Sequence, residues 1–197
     1  MGKVTINIAQ PDELSAAAVL TSRAMISLPE NDVVFQGKQQ RMEAAHRIAY
    51  KKMPGQVFLA KDESEIIGVM RLVEWPHCRL APGEMVKLLP SMLIALKGIL
   101  PRSMKFQQIW GQHDPKEHHW HLAPMAVLPE RQRQGIGTIM MNYFCDYIDA
   151  RDTAGYLETG TMENVHFYER FGFSIIGEAP VFEVPTWFMW RPKSRES

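Results

Sequence analysis

Hydrophobic positions alternate with polar ones at the start of the chain, where Val4, Ile6 and Ile8 are interleaved with Thr5, Asn7 and Ala9. That two-residue period predicts a half-buried strand, and Pro11-Asp12 then opens a helix running through Ala24. A second helix is predicted over Lys38–Lys52, with Met42, Ala45, Ile48 and Ala49 at three- and four-residue steps before the breaker pair Pro54-Gly55. The β-rich runs Gln56–Ala60 and Glu65–Val73 flank Lys61-Asp62-Glu63-Ser64, a polar connection of hairpin length. Between Pro76 and Glu117 the stripe Met85, Leu88, Leu89, Met92, Leu93, Leu96 and Leu100 has helical spacing. Pro90 is expected to break it, and a polar stretch ending Gln112-His113-Asp114-Pro115 follows. This segment reads as an inserted helical lid, in which the stripe is core packing, an acceptor-pocket lining or a homodimer contact. A strand at His121–Leu128 and an amphipathic helix at Gly135–Ala150 come next. The chain closes with a strand at Tyr156–Thr159, a helix at Glu163–Arg170 ended by Gly172, and strands around Phe173–Ile176 and Phe182–Trp190.

Composition narrows the classes. The 197 residues carry 22 Lys+Arg against 22 Asp+Glu and are 46% hydrophobic, which fits one ordinary folded domain and excludes intrinsic disorder. With a net charge of zero there is no global electrostatic reason to meet nucleic acid or an anionic membrane. No apolar run is long enough to span a bilayer, and the first ten residues alternate instead of forming a charged segment and a greasy core, so a cytoplasmic protein is expected. The two cysteines, Cys78 and Cys145, lie far apart and outside any CxxC spacing, and reduced thiols are the default.

The densest chemical motif is Gln132-Arg133-Gln134-Gly135-Ile136-Gly137-Thr138, between a strand ending Val127-Leu128-Pro129 and an amphipathic helix. Glycines there let a ligand approach the main chain, and consecutive N–H groups backed by a helix N-terminus suit a pyrophosphate. A dinucleotide fingerprint would need a third glycine and a following acidic residue, and a P-loop would need Gly-Lys-Ser/Thr; neither is present. Taken alone, the heptapeptide is equally compatible with a glycine-rich helix start that binds nothing.

A second cluster, Asn164-Val165-His166-Phe167-Tyr168-Glu169-Arg170-Phe171-Gly172-Phe173, follows the strand end Leu157-Glu158-Thr159. Together, Gln132-x-x-Gly135-x-Gly137 and Tyr168-x-x-x-Gly172-Phe173 resemble the signature of the GCN5-related N-acetyltransferase (GNAT) superfamily, and His119-Trp120-His121-Leu122 leading into Met125-Ala126-Val127 is similar to its approach strand. The resemblance is strong over His119–Phe173, weaker before Glu74, and leaves Pro76–Glu117 outside the common core. It implies an α/β (α+β) fold: a mixed, mostly antiparallel twisted sheet splayed between the fourth and fifth strands, helices on both faces, and a helical insertion between the third and fourth. Residues 1–197 are read as a single N-acetyltransferase domain with the insertion at about 76–117.

The same resemblance implies site roles. Met125, Ala126 and Val127 would pair with the pantetheine arm of acetyl-CoA as an added strand, with the Val127 N–H polarising the thioester carbonyl. Gln132, Arg133, Gln134, Gly135, Ile136, Gly137 and Thr138 would hold the pyrophosphate. Asn164 would touch the coenzyme arm, although members of the family often carry that asparagine nearer the position of Thr161. Tyr168 matches the general acid for the departing thiolate; its bland alternative is a packed aromatic whose hydroxyl is satisfied by the protein.

Transfer to an amine also needs a proton acceptor, and Glu158 at the carboxyl end of its strand is the best-placed carboxylate, with Glu74 and His121 behind it. A structural hydrogen bond across the open sheet is the competing role for Glu158. His113, His118, His119 and His121 cluster in sequence, but strand alternation separates them and no helical His-x-x-x-His pair occurs, so no metal is expected. Cys145 sits among Tyr143, Phe144 and Ile148 and reads as a small buried thiol, not a nucleophile. The expected activity is direct acetyl transfer from acetyl-CoA to the primary amine of a small-molecule acceptor in a ternary complex. The alternatives are the same fold using another acyl-CoA or acceptor, and a non-catalytic acyl-CoA sensor.

Overall fold

A computed structural model describes residues 3–78 and 81–194. In chain order its elements are β1 (Val4–Ile8), α1 (Leu14–Met25), α2 (Pro29–Phe35), α3 (Gln39–Lys52), β2 (Gln56–Asp62), β3 (Glu65–Glu74), α4 (Pro82–Ala95), α5 (Leu100–His113), β4 (His119–Val127), α6 (Ile136–Asp149), β5 (Ala154–Thr159), α7 (Met162–Glu169), β6 (Ser174–Val181) and β7 (Val184–Arg191). The seven strands form one sheet in the order β1-β2-β3-β4-β5-β7-β6. Every neighbouring pair is antiparallel except β4 and β5, which run parallel.

The middle of the sheet is buried on both faces, which is why Val57–Ala60 and Ile67–Val73 read as unbroken buried runs with little alternation. On one side α1 and α3 are joined by a 2.7 Å hydrogen bond between the Thr21 and Tyr50 hydroxyls. On another, α6 sets the Tyr143 and Tyr147 rings 5.4 and 5.7 Å from that of Phe58. Gly68 of β3 sits tight against this packing, since a Cβ there would fall 2.6 Å from the Met140 sulfur of α6 and 3.2 Å from the Ala60 Cβ.

Two departures from regular pairing shape the middle of the molecule. Along β3–β4 the register advances from Met70↔Met125 to Leu72↔Leu122, so β4 carries one extra residue, a bulge around Ala123-Pro124. Arg71 braces it by donating to the carbonyls of Ala123 (3.3 Å) and Pro54. Along β4–β5 pairing is confined to His119–His121 with Ala154–Tyr156, after which the strands separate. The expected splay between the fourth and fifth strands is therefore present.

Three expectations are corrected. Pro90 lies inside α4 and does not end it; Pro90 and the residue four positions earlier, Val86, are both exposed, so the missing hydrogen bond falls on the solvent side. The helix stops after Ala95, before Gly98 with φ +82°. The polar stretch before Pro115 is helical, as α5, held by Phe106 packed on Trp110 with ring centroids 4.2 Å apart. An unforeseen helix, α2, is opened by Pro29 and closed by Gln36 and Gly37 at positive φ. At seven residues it is too short for a periodicity to register.

The α4–α5 segment takes part in a small core of its own. Leu96, Ile99 and Phe106 pack with Val34, Phe35 and Met42 of α2–α3 and with Val181 at the end of β6. Part of the Met/Leu stripe is thus packing, whereas Val86, Leu89, Leu93 and Ile94 remain exposed. None of the helices among the described residues is long and apolar enough to cross a membrane.

Candidate active site

Strand alternation at the splay decides which main-chain groups are left unpaired. Leu128 donates its N–H to Ile67 O at 3.0 Å, toward β3. The N–H and C=O of Val127 therefore point the other way, into the opening, and so do those of Met125, while those of Ala126 face β3 opposite Val69. Of the three residues expected to pair with the coenzyme arm, Met125 and Val127 expose their amide groups and Ala126 does not. Gln132 caps the Val127 carbonyl with its side-chain amide at 3.1 Å, leaving the Val127 N–H directed into the gap.

Below this edge lies the start of α6. Arg133 (φ +60°) and Gly135 (φ +81°) adopt left-handed backbone, which turns the chain so that α6 begins at Ile136. The N–H groups of Ile136, Gly137 and Thr138 lie in the first turn, where a helix supplies no acceptor of its own. A Cβ added at Gly135 would meet nothing, so that glycine is there for its backbone conformation and the space above it; one at Gly137 would rest 3.4 Å from the Phe167 ring of α7. Gln134 reaches back to the Glu130 carbonyl, and the exposed Arg133 and Glu163 side chains approach to 3.4 Å across the mouth.

A cavity of about 1580 Å³ joins this edge to a chamber beneath α4 and α5. Pockets for one small ligand hold about 300–1,000 Å³, so the space accommodates two reactants. Val127, Gly135, Asn164, Glu158 and Tyr168 all border it. Asn164 is on the first turn of α7, its N–H bound by the capping Thr161 hydroxyl at 3.4 Å.

Tyr168 is buried, its ring set against Phe167 and Phe173 at 5.3 and 6.3 Å. Its hydroxyl has no hydrogen-bond partner among the described residues, unlike that of Tyr50, so the bland alternative of a satisfied core tyrosine does not describe it. Burial, and after it the nearby Glu30 carboxylate, raise its pKa and keep the phenol protonated. Glu158 is paired with His121 at 2.6 Å, the carboxylate 2% and the imidazole 11% exposed. Burial alone would depress His121; the Glu158 charge, together with hydrogen bonds to Cys78 and Glu158, raises it to about 10.

The remaining histidines disperse. His113 stacks flat on Phe188 at 4.2 Å, and His118 pairs with Glu74 on the surface at 3.2 Å, which also removes Glu74 from the cavity. Cys145 lies partly buried against the turn that follows α7, its Sγ facing the Phe171 carbonyl, and burial pushes its thiol up to about 11, in keeping with an inert side chain. Among the lining residues that sequence reasoning missed are Glu30, Arg71, Cys78 and Asp114. Glu30 is 5% exposed on the unforeseen α2, its pKa raised by burial, and so close to Gly160 that any side chain there would collide with it. No local motif marks these four, which come together only through the sheet register and the inserted helices.

The acetyltransferase (GNAT) family model matches residues 24–173 of the chain. Among solved structures, a Corynebacterium glutamicum protein described as histone acetyltransferase HPA2 and related acetyltransferase superimposes with TM-score 0.69 at 21% identity, covering 98% of each chain. The Escherichia coli ribosomal-protein-S18-alanine N-acetyltransferase gives 0.58 at 15% identity, over 98% of this chain and 95% of its own. A putative acetyltransferase from Salmonella typhimurium, solved with acetyl-CoA, gives 0.59 at 11% identity over 97% and 94%. The half-opened sheet and the glycine turn beneath it thus have their place in a known family: the chain belongs to the GNAT acetyltransferases, enzymes of acetyl-CoA-dependent acyl transfer.

Proposed function

We propose that the protein is an N-acetyltransferase that moves the acetyl group of acetyl-CoA directly to the primary amine of a small molecule, both reactants being bound together. The observation that carries this reading is the shared cavity, which has the unpaired edge of β4 and the α6 turn at one end, Glu158 and Tyr168 in its wall, and the α4–α5 lid over the other. The cosubstrate supplies an activated thioester. In this reading Met125 and Val127 align its arm, Arg133–Thr138 receive the pyrophosphate on main-chain N–H groups, and Asn164 contacts the arm from α7.

Catalysis then rests on positioning and carbonyl polarisation, with no acyl-enzyme. The Val127 N–H faces the acyl carbonyl; Glu158 takes a proton from the incoming ammonium, directly or through water; the Tyr168 hydroxyl returns one to the leaving sulfur. The lining supports this acceptor class. Carboxylates of Glu30 and Glu158 stand among apolar Met85, Met92 and Phe106, a mixture that suits a cation on a compact organic body.

Thermal-shift titration with acetyl-CoA, CoA and NADH in parallel tests the reading. A ligand at a hundred times its dissociation constant stabilises by about 2.7 kcal/mol, a rise of about 5–10 °C at this chain length. A rise with both CoA species and none with NADH is expected, followed by acetylation of members of an amine panel. A folded sample that responds to none of the three overturns it.

A further inference from the structure

Behind the Glu158–His121 pair, three side chains from separate elements converge on one point. His119 Nε2 is 3.7 Å from Cys78 Sγ and 3.3 Å from Asp114 Oδ1, and the three donor atoms all lie within 4.8 Å of one another. From these distances we propose that Cys78, Asp114 and His119 form a binding site for a divalent transition-metal ion of the zinc class, distinct from the residues of acetyl transfer.

Zinc bonds of about 2.3 Å to sulfur, 2.0–2.1 Å to nitrogen and 2.0–2.2 Å to oxygen at tetrahedral angles put ligand atoms about 3.6 Å apart for S···N and about 3.4 Å for N···O. The observed 3.7 and 3.3 Å lie close to two edges of such a tetrahedron. Cys78 Sγ also donates to the Val73 carbonyl at 3.7 Å, a proton the thiol would give up on coordination. The donor set, one thiolate, one imidazole and one carboxylate, is that of a borderline-soft ion and not of magnesium or calcium.

A second, independent feature sets the imidazole up for coordination. Its other nitrogen, Nδ1, is 2.7 Å from the Glu117 carbonyl, which fixes that N–H and turns the Nε2 lone pair toward Cys78 and Asp114, as metal-bound histidines are held. The His119 ring is fully buried and further fixed edge-on against Tyr156 and Trp190 at 5.4 and 5.6 Å. This arrangement is not a cysteine-nucleophile triad, because Asp114 approaches the same nitrogen as the thiol instead of orienting Nδ1.

Cys78 and Asp114 border the large cavity, so the fourth position opens toward it and takes a water. His121 pairs with Glu158 at 2.6 Å and is not counted in the set, although it also hydrogen-bonds Cys78. On binding, the Cys78 thiol and a protonated His119 each lose a proton to solvent, giving a thiolate and a neutral imidazole as ligands.

Cobalt(II) titration of the chelator-treated 197-residue protein tests the proposal without recourse to acetyl transfer. One equivalent should produce a sulfur-to-cobalt charge-transfer band in the near ultraviolet and intense visible bands of tetrahedral cobalt, and added zinc should abolish both. Because the chain has only two cysteines, the source of the sulfur band is readable: Cys145→Ser should keep it and Cys78→Ser should lose it. His119→Gln should weaken cobalt binding by about tenfold or more, since loss of a supporting partner alone costs that much. Circular dichroism of each variant confirms that it is folded. Absence of the charge-transfer band with cobalt in excess, or its survival in folded Cys78→Ser, overturns the proposal.

Discussion

Replacing Tyr168 with Phe separates structure from chemistry at a single oxygen atom. Removing a hydroxyl that is bonded inside a protein normally costs about 0.5–1.5 kcal/mol. The Tyr168 hydroxyl has no such partner among the described residues, and its ring contacts with Phe167 and Phe173 survive in phenylalanine. The stability change should therefore lie within about 0.5 kcal/mol, a melting shift of at most about 2 °C for a chain of this length. Turnover should fall by about 10²–10⁴-fold if the phenol is the proton donor to the leaving thiolate, with the affinity for acetyl-CoA, read by thermal shift, nearly unchanged. The raised pKa works in the same direction, because the neutral, proton-bearing phenol is the species an acid catalyst needs. The assay is steady-state acetylation of an amine from the panel, with the released thiol measured directly. Unchanged turnover would remove Tyr168 from the mechanism, and a loss of more than about 1 kcal/mol in stability would show that its hydroxyl is structural after all.

Three further outcomes are expected. Glu158→Gln keeps a hydrogen-bonding group beside His121 but cannot accept a proton, so kcat should drop by about 10²–10⁴-fold in a folded protein; activity near wild type would assign the base elsewhere. Gly135→Ala should lose about 1–2 kcal/mol to its left-handed backbone and weaken CoA binding, whereas Gly137→Ala, with ordinary φ and only Phe167 in contact, should stay within about 1 kcal/mol; equal losses would refute the distinction. His46, whose Nδ1 is 2.9 Å from the Met42 carbonyl, is held down to about 4 by burial and then by Arg71. The unfolded chain thus takes up a proton below about 6.5 and the folded one only near 4, so stability falls as pH drops through that window, by at most about 3 kcal/mol from this group. Urea unfolding at pH 7 and 4.5 should show a smaller acid loss in His46→Gln, and an identical loss would remove His46 as a cause.

What the sequence made legible was the part written in local rules. The glycine turn, the strand before it and the Tyr168 helix obey spacing and capping preferences that operate within a few residues, and the hairpin of β2 and β3 declares itself through its polar connection. The exposed Pro90 misleads, because proline weakens a helix without ending it when the freed carbonyl can meet water. Other features have no local cause. Helix α2 persists because Val34 and Phe35 pack on Met42, Ile99 and Phe106, contacts that reach across to the insertion. Likewise Cys78, Asp114 and His119 belong to a loop, a helix cap and a strand, brought to one point by the insertion returning to the sheet edge.

The small core beneath α4 and α5 has a consequence for the acceptor. The turn proposed to meet the coenzyme depends on β4, α6 and α7, whereas the chamber roof is held by side chains that share almost nothing with them. Substitutions at Met85, Met92 or Phe106 can remould what fits under the roof while the donor half keeps its shape. On the proposed reading, variation under the roof changes the acceptor that fits without touching the groups that would hold acetyl-CoA.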